Sequence, residues 1–135
     1  MSSTPVEVTR TGDHTFTATN SRGAEVAVGR DGAPGAFTPG ELLLAAVAAC
    51  SVVTSENLFV RRIGEDAQLV ARADRTKNPE DEHKFAEIQV ALEAELDGVE
   101  NRGKLLDAVQ RAIEKYCTVS RSVEESTPIN LTLPR

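Results

Sequence analysis

From Leu42 to Cys50 the chain is an unbroken apolar run, and past Ser51 it continues to Val53. A helix start precedes it: Thr38 is the cap candidate, Pro39 the first-turn proline, and Glu41 the carboxylate three residues on, which together form a capping box. Arg61 and Arg62 suit the negative end of the helix dipole and Gly64 supplies a stop, so the spacing predicts a helix from Thr38 to about Arg62. Leu42, Leu43, Leu44, Val47, Val52 and Val53 cover almost its whole circumference, and Ala45, Ala46, Ala48 and Ala49 leave its backbone open to close approach. A helix apolar all round must be buried. The run of about a dozen residues falls short of the roughly twenty that a membrane span needs, so a core helix is expected and no membrane partner. One sheet and one further helix offer too little cover for it, and a second subunit would complete the burial, so a large apolar homodimer interface is expected.

The flanking segments read as an α+β domain. Pro5 to Thr11, His14 to Thr19 and Ala24 to Arg30 alternate as strands of an antiparallel meander with one face covered, and the Gly- and Pro-rich stretch Asp31 to Pro39 is a loop. After the helix, Gln68 to Arg75 and Lys84 to Leu96 are expected as strands, the second with Ile88, Val90, Leu92, Ala94 and Leu96 on one face, joined by a polar hairpin loop over Thr76 to His83. Asn101 to Tyr116 carries Leu105, Val109, Ala112, Ile113 and Tyr116 as one apolar helical stripe. Beyond Cys117 a short segment leads to a last strand, Ile129 to Leu133. The order β-β-β-α-β-β-α-β places antiparallel sheets against helices in a single domain over residues 1–135.

Function classes narrow with composition. At 135 residues the chain can bury a core without disulfide staples, and two cysteines are far below the density of a secreted disulfide scaffold. The first residues have no apolar export-signal pattern, so a cytoplasmic, reducing location is expected. A formal charge of −6, with both signs interspersed and no Lys/Arg cluster, argues against nucleic acid as a partner.

Chemistry then falls to Cys50 and Cys117. Cys50 lies among alanines and valines, where burial raises a thiol's pKa and leaves it inert unless a cation is brought to it; its plain alternative is a small hydrophobe on a buried helix. Cys117 stands where one helix ends and the segment Cys117-Thr118-Val119-Ser120 begins, and a thiol at a helix N-terminus is acidified by the dipole. Its alternative is an incidental buried residue.

The stretch Phe37-Thr38-Pro39-Gly40-Glu41-Leu42-Leu43-Leu44-Ala45-Ala46-Val47-Ala48-Ala49-Cys50, followed downstream by Cys117-Thr118-Val119-Ser120, resembles the family of the osmotically inducible protein C and the organic hydroperoxide resistance proteins. The resemblance implies antiparallel sheets packed around a long buried central helix, an intertwined homodimer, and a thiol peroxidase site at the subunit interface. By that likeness Cys50 is the peroxidatic thiolate that becomes a sulfenic acid, and Cys117 resolves it as a disulfide. Arg30 falls where the OsmC branch carries an arginine that stabilises the thiolate; otherwise it ends a strand beside Asp31. In the best-known peroxidases of the family an acid follows the motif proline directly, whereas here that position is Gly40 and the next, Glu41, is acidic. Nine residues place Glu41 on the opposite face of the helix from Cys50 and roughly 13 Å along the axis. It therefore acts through Arg30 or across the dimer, as the capping-box carboxylate, or as both.

The resemblance implies no bound cofactor, an organic hydroperoxide as substrate, alkyl or fatty-acid in type, and recycling by an external thiol reductant such as a dihydrolipoyl protein. A rival reading is a non-catalytic dimeric module that holds a small hydrophobic ligand or senses redox state. A metal site from Cys50, Cys117, His14 and His83 lacks close paired spacing, the glycines before the helix lack a phosphate-binding motif, and Ser120, Ser122 and Ser126 have no partnered His and Asp for hydrolysis.

Overall fold

The computed structural model describes residues 5–134. Its elements run β1 (Glu7–Gly12), β2 (Thr15–Thr19), β3 (Glu25–Gly29), α1 (Pro39–Ile63), β4 (Leu69–Asn78), β5 (Asp81–Ala94), α2 (Arg102–Tyr116) and α3 (Thr118–Glu124). The architecture is α+β, with two antiparallel sheets and one long helix. Two compact units divide it, one up to Leu44 and one from Ala45 onward, with α1 continuous across the boundary.

In the first unit β1, β2 and β3 form the predicted meander in that order, with Phe16 opposite both Arg10 and Val28. The covered face is confined to β2 and β3, where Ala18 and Val28 are buried, while Val6 and Val8 beside and within β1 remain exposed. The glycine-rich loop folds back along β3. Gly29 donates to the Phe37 carbonyl and Phe37 to that of Ala27, each at 2.9 Å, which makes a parallel bridge between Val28 and Phe37. Gly29 permits this approach, because a Cβ there would stand 2.8 Å from that of Ala33. The loop ends in the capping box, with the Thr38 N–H donating to Glu41 Oε1 at 2.9 Å and the Glu41 N–H to Thr38 Oγ1 at 3.1 Å.

Helix α1 runs 25 residues to the predicted stop, where Gly64 adopts φ 115° and its N–H reaches the Val60 carbonyl at 2.8 Å. Positive φ at that point favours glycine. The polar residues Thr54 to Asn57 end the apolar run without ending the helix. Its length and composition would thus suffice to cross a bilayer, and the argument from a short run does not hold. Only 28% of its most apolar stretch is buried inside the chain, less than the all-round burial expected. Its second half packs in the protein core: Phe59 joins Leu105 and Val109 of α2 in a buried cluster, flanked by Leu69, Leu92 and Ala94 of the second sheet. Arg62 donates to the Glu100 carbonyl, tying the end of α1 to the approach to α2.

Two further expectations are corrected. The polar stretch Thr76 to His83 is mostly strand, because β4 and β5 extend around a turn at Pro79 and Glu80, where the Glu80 N–H donates to Asn78 Oδ1 and, just beyond, the His83 N–H to Asp81 Oδ1. Ladder pairing continues there with register shifts, since exposed polar side chains do not oppose a strand open to water on both faces. The last strand is absent. Ile129 to Leu133 has no regular structure and leaves Ile129, Leu131 and Leu133 between 70% and 93% exposed, because its alternation meets no sheet edge within the described residues. In its place the segment after Cys117 is helical, giving β-β-β-α-β-β-α-α.

Candidate functional site

The two cysteines belong to the second unit and are brought together there. Cys50 lies in the fourth turn of α1, half-buried, with Thr54 Oγ1 one turn on at 4.0 Å from its sulfur. Cys117 is fully buried at the junction of two helices, closing α2 and capping α3 with φ −74° and ψ 96°. Its N–H bonds the Ile113 carbonyl at 3.0 Å, and its own carbonyl accepts from Arg121 at 3.0 Å. These backbone bonds fix where the sulfur lies. Both thiols are free.

The Cys117 sulfur donates to Ser120 Oγ at 3.2 Å. Burial pushes this thiol up, but hydrogen bonding from Ser120, from the Cys50 side chain, from the Ser120 backbone and from Ser51 outweighs it, and the net shift is below the ordinary thiol value. Ser51 is itself buried and donates to the Val47 carbonyl at 3.1 Å, as buried Ser55 donates to Ser51 at 2.8 Å. Both hydroxyls satisfy themselves on the preceding turn of α1, which lets polar side chains sit in an apolar helix.

Next to this pair is a cavity of about 610 Å³, lined by Val47, Phe85, Ile88, Val90, Ser120 and Val123 among others. Val47 lies one turn before Cys50, and Ser120 is the partner of Cys117, so a ligand in the cavity would approach the sulfur pair along a mixed wall in which Glu87 and Glu124 stand among the apolar side chains.

Arg30 and Glu41 belong to the first unit. Arg30 is exposed just past β3, its carbonyl accepting the Ala33 N–H at 3.0 Å. Glu41 is exposed and engaged in the capping box. Sequence reasoning missed Ser51 and Ser120 as members of the site. For Ser120 the available signal was its place three residues after a cysteine at a helix start, the spacing at which a capping side chain reaches. The candidate zinc ligands do not assemble: among the described residues no group of three or more His, Cys, Asp or Glu could hold a metal ion.

A model of the OsmC-like protein family matches residues 30–132, and the chain belongs to that family. An uncharacterized protein of Mycobacterium tuberculosis is 37% identical over 130 residues, spanning 95% of this chain and 94% of the relative. Among solved structures, a hypothetical protein from Aquifex aeolicus VF5 matches with a TM-score of 0.66 at 27% identity, over 94% of this chain and 91% of that one. An organic hydroperoxide resistance protein of Bacillus subtilis matches with a TM-score of 0.56 at 22% identity, over 88% of this chain and 90% of that one, a likeness of fold.

Proposed function

We propose that this protein is a cysteine-based reductase of organic hydroperoxides, working as one OsmC-like domain over residues 1–135 in a homodimer. The observation that carries the reading is the pairing of a half-buried free thiol, Cys50, with a fully buried free thiol, Cys117, whose ionised form is stabilised. The more accessible sulfur is suited to meeting a peroxide, and the enclosed one to attacking only what forms beside it. Membership of a family that includes organic hydroperoxide resistance proteins supports the same chemistry.

In this reading the Cys50 thiolate attacks the distal peroxide oxygen. The O–O bond breaks, the alkoxide takes a proton and leaves as an alcohol, and Cys50 becomes a sulfenic acid. The Cys117 thiolate then attacks that sulfur, the S–O bond breaks, and the departing hydroxide is protonated to water as the disulfide forms. Two electrons from an external dithiol, of the dihydrolipoyl kind, restore both thiols, and no bound cofactor takes part. Arg30 is assigned to stabilising the Cys50 thiolate and Glu41 to engaging Arg30. The apolar side chains of the cavity, Val47, Phe85, Ile88, Val90 and Val123, favour alkyl or fatty-acid hydroperoxides over hydrogen peroxide, and the cycle belongs to a reducing compartment such as the cytoplasm. The exposed apolar residues of α1, Leu43 and Val53, support a second subunit as their cover.

The test mixes reduced protein with a slight excess of cumene hydroperoxide and counts free thiols over time, with Cys50→Ser and Cys117→Ser alongside. Rapid loss of both thiols is expected in the wild type, none beyond background in Cys50→Ser, and a trappable sulfenic acid in Cys117→Ser. If Cys50 reacts no faster than free cysteine the reductase reading fails, and the cavity favours the second one, a non-catalytic module that binds a small hydrophobic ligand.

A further inference from the structure

Ser120 stands both at the buried sulfur and at the cavity wall. Its hydroxyl meets the Cys117 sulfur at 3.2 Å, and the same residue lines the cavity beside the pair. Among the described residues that hydroxyl has no other side-chain hydrogen-bond partner. Ser51, the other hydroxyl near Cys117, is differently placed, because it shares its one proton with the Val47 carbonyl at 3.1 Å. A serine hydroxyl accepts from a thiol and, by rotating about its C–O bond, donates to a thiolate. Ser120 can therefore follow Cys117 through ionisation without moving its backbone, which is held in α3. Cys117 itself is out of contact with water, so a thiolate there needs a donor supplied by the protein.

We propose that Ser120 is a positioning residue for the resolving half-reaction, its hydroxyl holding the Cys117 sulfur as a thiolate aimed at oxidised Cys50. The role rests on the disulfide-forming cycle proposed above. No atom of Ser120 enters the bonds that change. The sulfur of Cys117 displaces hydroxide from the Cys50 sulfenic acid, the proton Cys117 gives up ends on that hydroxide as water, and Ser120 donates to the sulfur until its lone pair is committed to the new S–S bond. The oxidant is the organic hydroperoxide already consumed in the first step.

Two measurements separate this role from the cycle it serves. In a Cys50→Ser chain, where Cys117 is the sole thiol, its ionisation is followed by thiolate ultraviolet absorbance against pH. Ser120→Ala is expected to raise the midpoint by about one pH unit, and Ser120→Thr, which keeps the hydroxyl, to restore it. In the chain with both cysteines, one equivalent of cumene hydroperoxide is added and the sulfenic acid is trapped at intervals. Ser120→Ala should form it at the wild-type rate and keep it about tenfold longer at neutral pH, the difference closing in alkali where Cys117 ionises unaided. An unmoved midpoint, or a wild-type sulfenic acid lifetime in Ser120→Ala, overturns the assignment even though the wild type forms its disulfide. If the wild type itself shows no peroxide-driven thiol loss, the peroxidase cycle fails first, and the role of Ser120 goes with it.

Discussion

Thr38 and Glu41 cap the same turn for one another: each side chain accepts the other's backbone N–H, at 2.9 and 3.1 Å, where the glycine-rich loop becomes α1. The acid that the proposed cycle pairs with Arg30 is thus also a structural acid. Glutamine serves a capping box as glutamate does, so the two duties can be separated. Glu41→Gln should leave stability within a few tenths of a kcal/mol of wild type, whereas Glu41→Ala should cost about 1 kcal/mol. Both are read by urea denaturation. If Glu41 works through Arg30, Glu41→Gln nevertheless slows peroxide consumption; an unchanged rate assigns the residue to the cap alone.

Joining Cys50 to Cys117 would close a loop of about 67 residues within the second unit. Such a crosslink removes conformations chiefly from the unfolded chain, typically worth about 2–4 kcal/mol. After one equivalent of hydroperoxide, the protein should melt roughly 10 °C higher than under dithiothreitol, as read by calorimetry. Cys117→Ser should show no such gap. Equal melting temperatures with a proven disulfide would mean that bridging strains the junction of α2 and α3 enough to offset the gain.

Phe59 is 2% exposed and packed against Leu105 and Val109, the centre of the second unit's core. Phe59→Ala should destabilise by about 3–5 kcal/mol, the cost of lost apolar transfer plus a cavity. Leu106→Ala, on the exposed face of the same helix α2, should cost less than about 0.5 kcal/mol. Equal midpoints in guanidinium for these two variants would contradict the packing described.

Cys117 also ties stability to pH. Burial raises its pKa and the hydrogen bonds of Ser120, Cys50 and Ser51 more than offset that, so the folded thiol ionises below its unfolded value. Between the two values the unfolded chain binds more protons at this group. Its contribution is therefore complete above the unfolded thiol pKa of roughly 8.5 and is lost as pH falls through the lower folded value. Wild type should gain stability relative to Cys117→Ser as pH rises through that window, under reducing conditions. A difference that stays flat with pH would refute the shift.

Much of this was legible in the sequence because it rests on local rules. Thr38, Pro39, Glu41 and Gly64 announce both ends of α1, and the stripe of Leu105, Val109 and Ile113 announces α2. Ile129 to Leu133 failed because alternation states only that a segment fits a sheet, and pairing needs an edge that the described residues do not offer it. The turn at Pro79 was misjudged in width because polar residues on an exposed ribbon carry no signal against strand. For the site, the cysteines were visible as residue types, yet Ser51 was hidden inside an apolar run and Ser120 inside a serine-rich stretch. Their meaning depends on the convergence of α1 with the junction of α2 and α3, a long-range relationship that spacing along the chain does not record.

The complete burial of Cys117 bears on how such a protein would wear out. Peroxide in solution reaches a sulfur only by contact, so a surge of oxidant would fall on Cys50 and spare the enclosed partner. Each sulfenic acid then faces a race between capture by Cys117 and a second oxidation to sulfinic acid, which thiols do not reverse. Inactivation under heavy oxidant load would accumulate at one atom, in proportion to peroxide dose and inversely to the speed of its neighbour, leaving behind chains that still fold and still carry an intact Cys117.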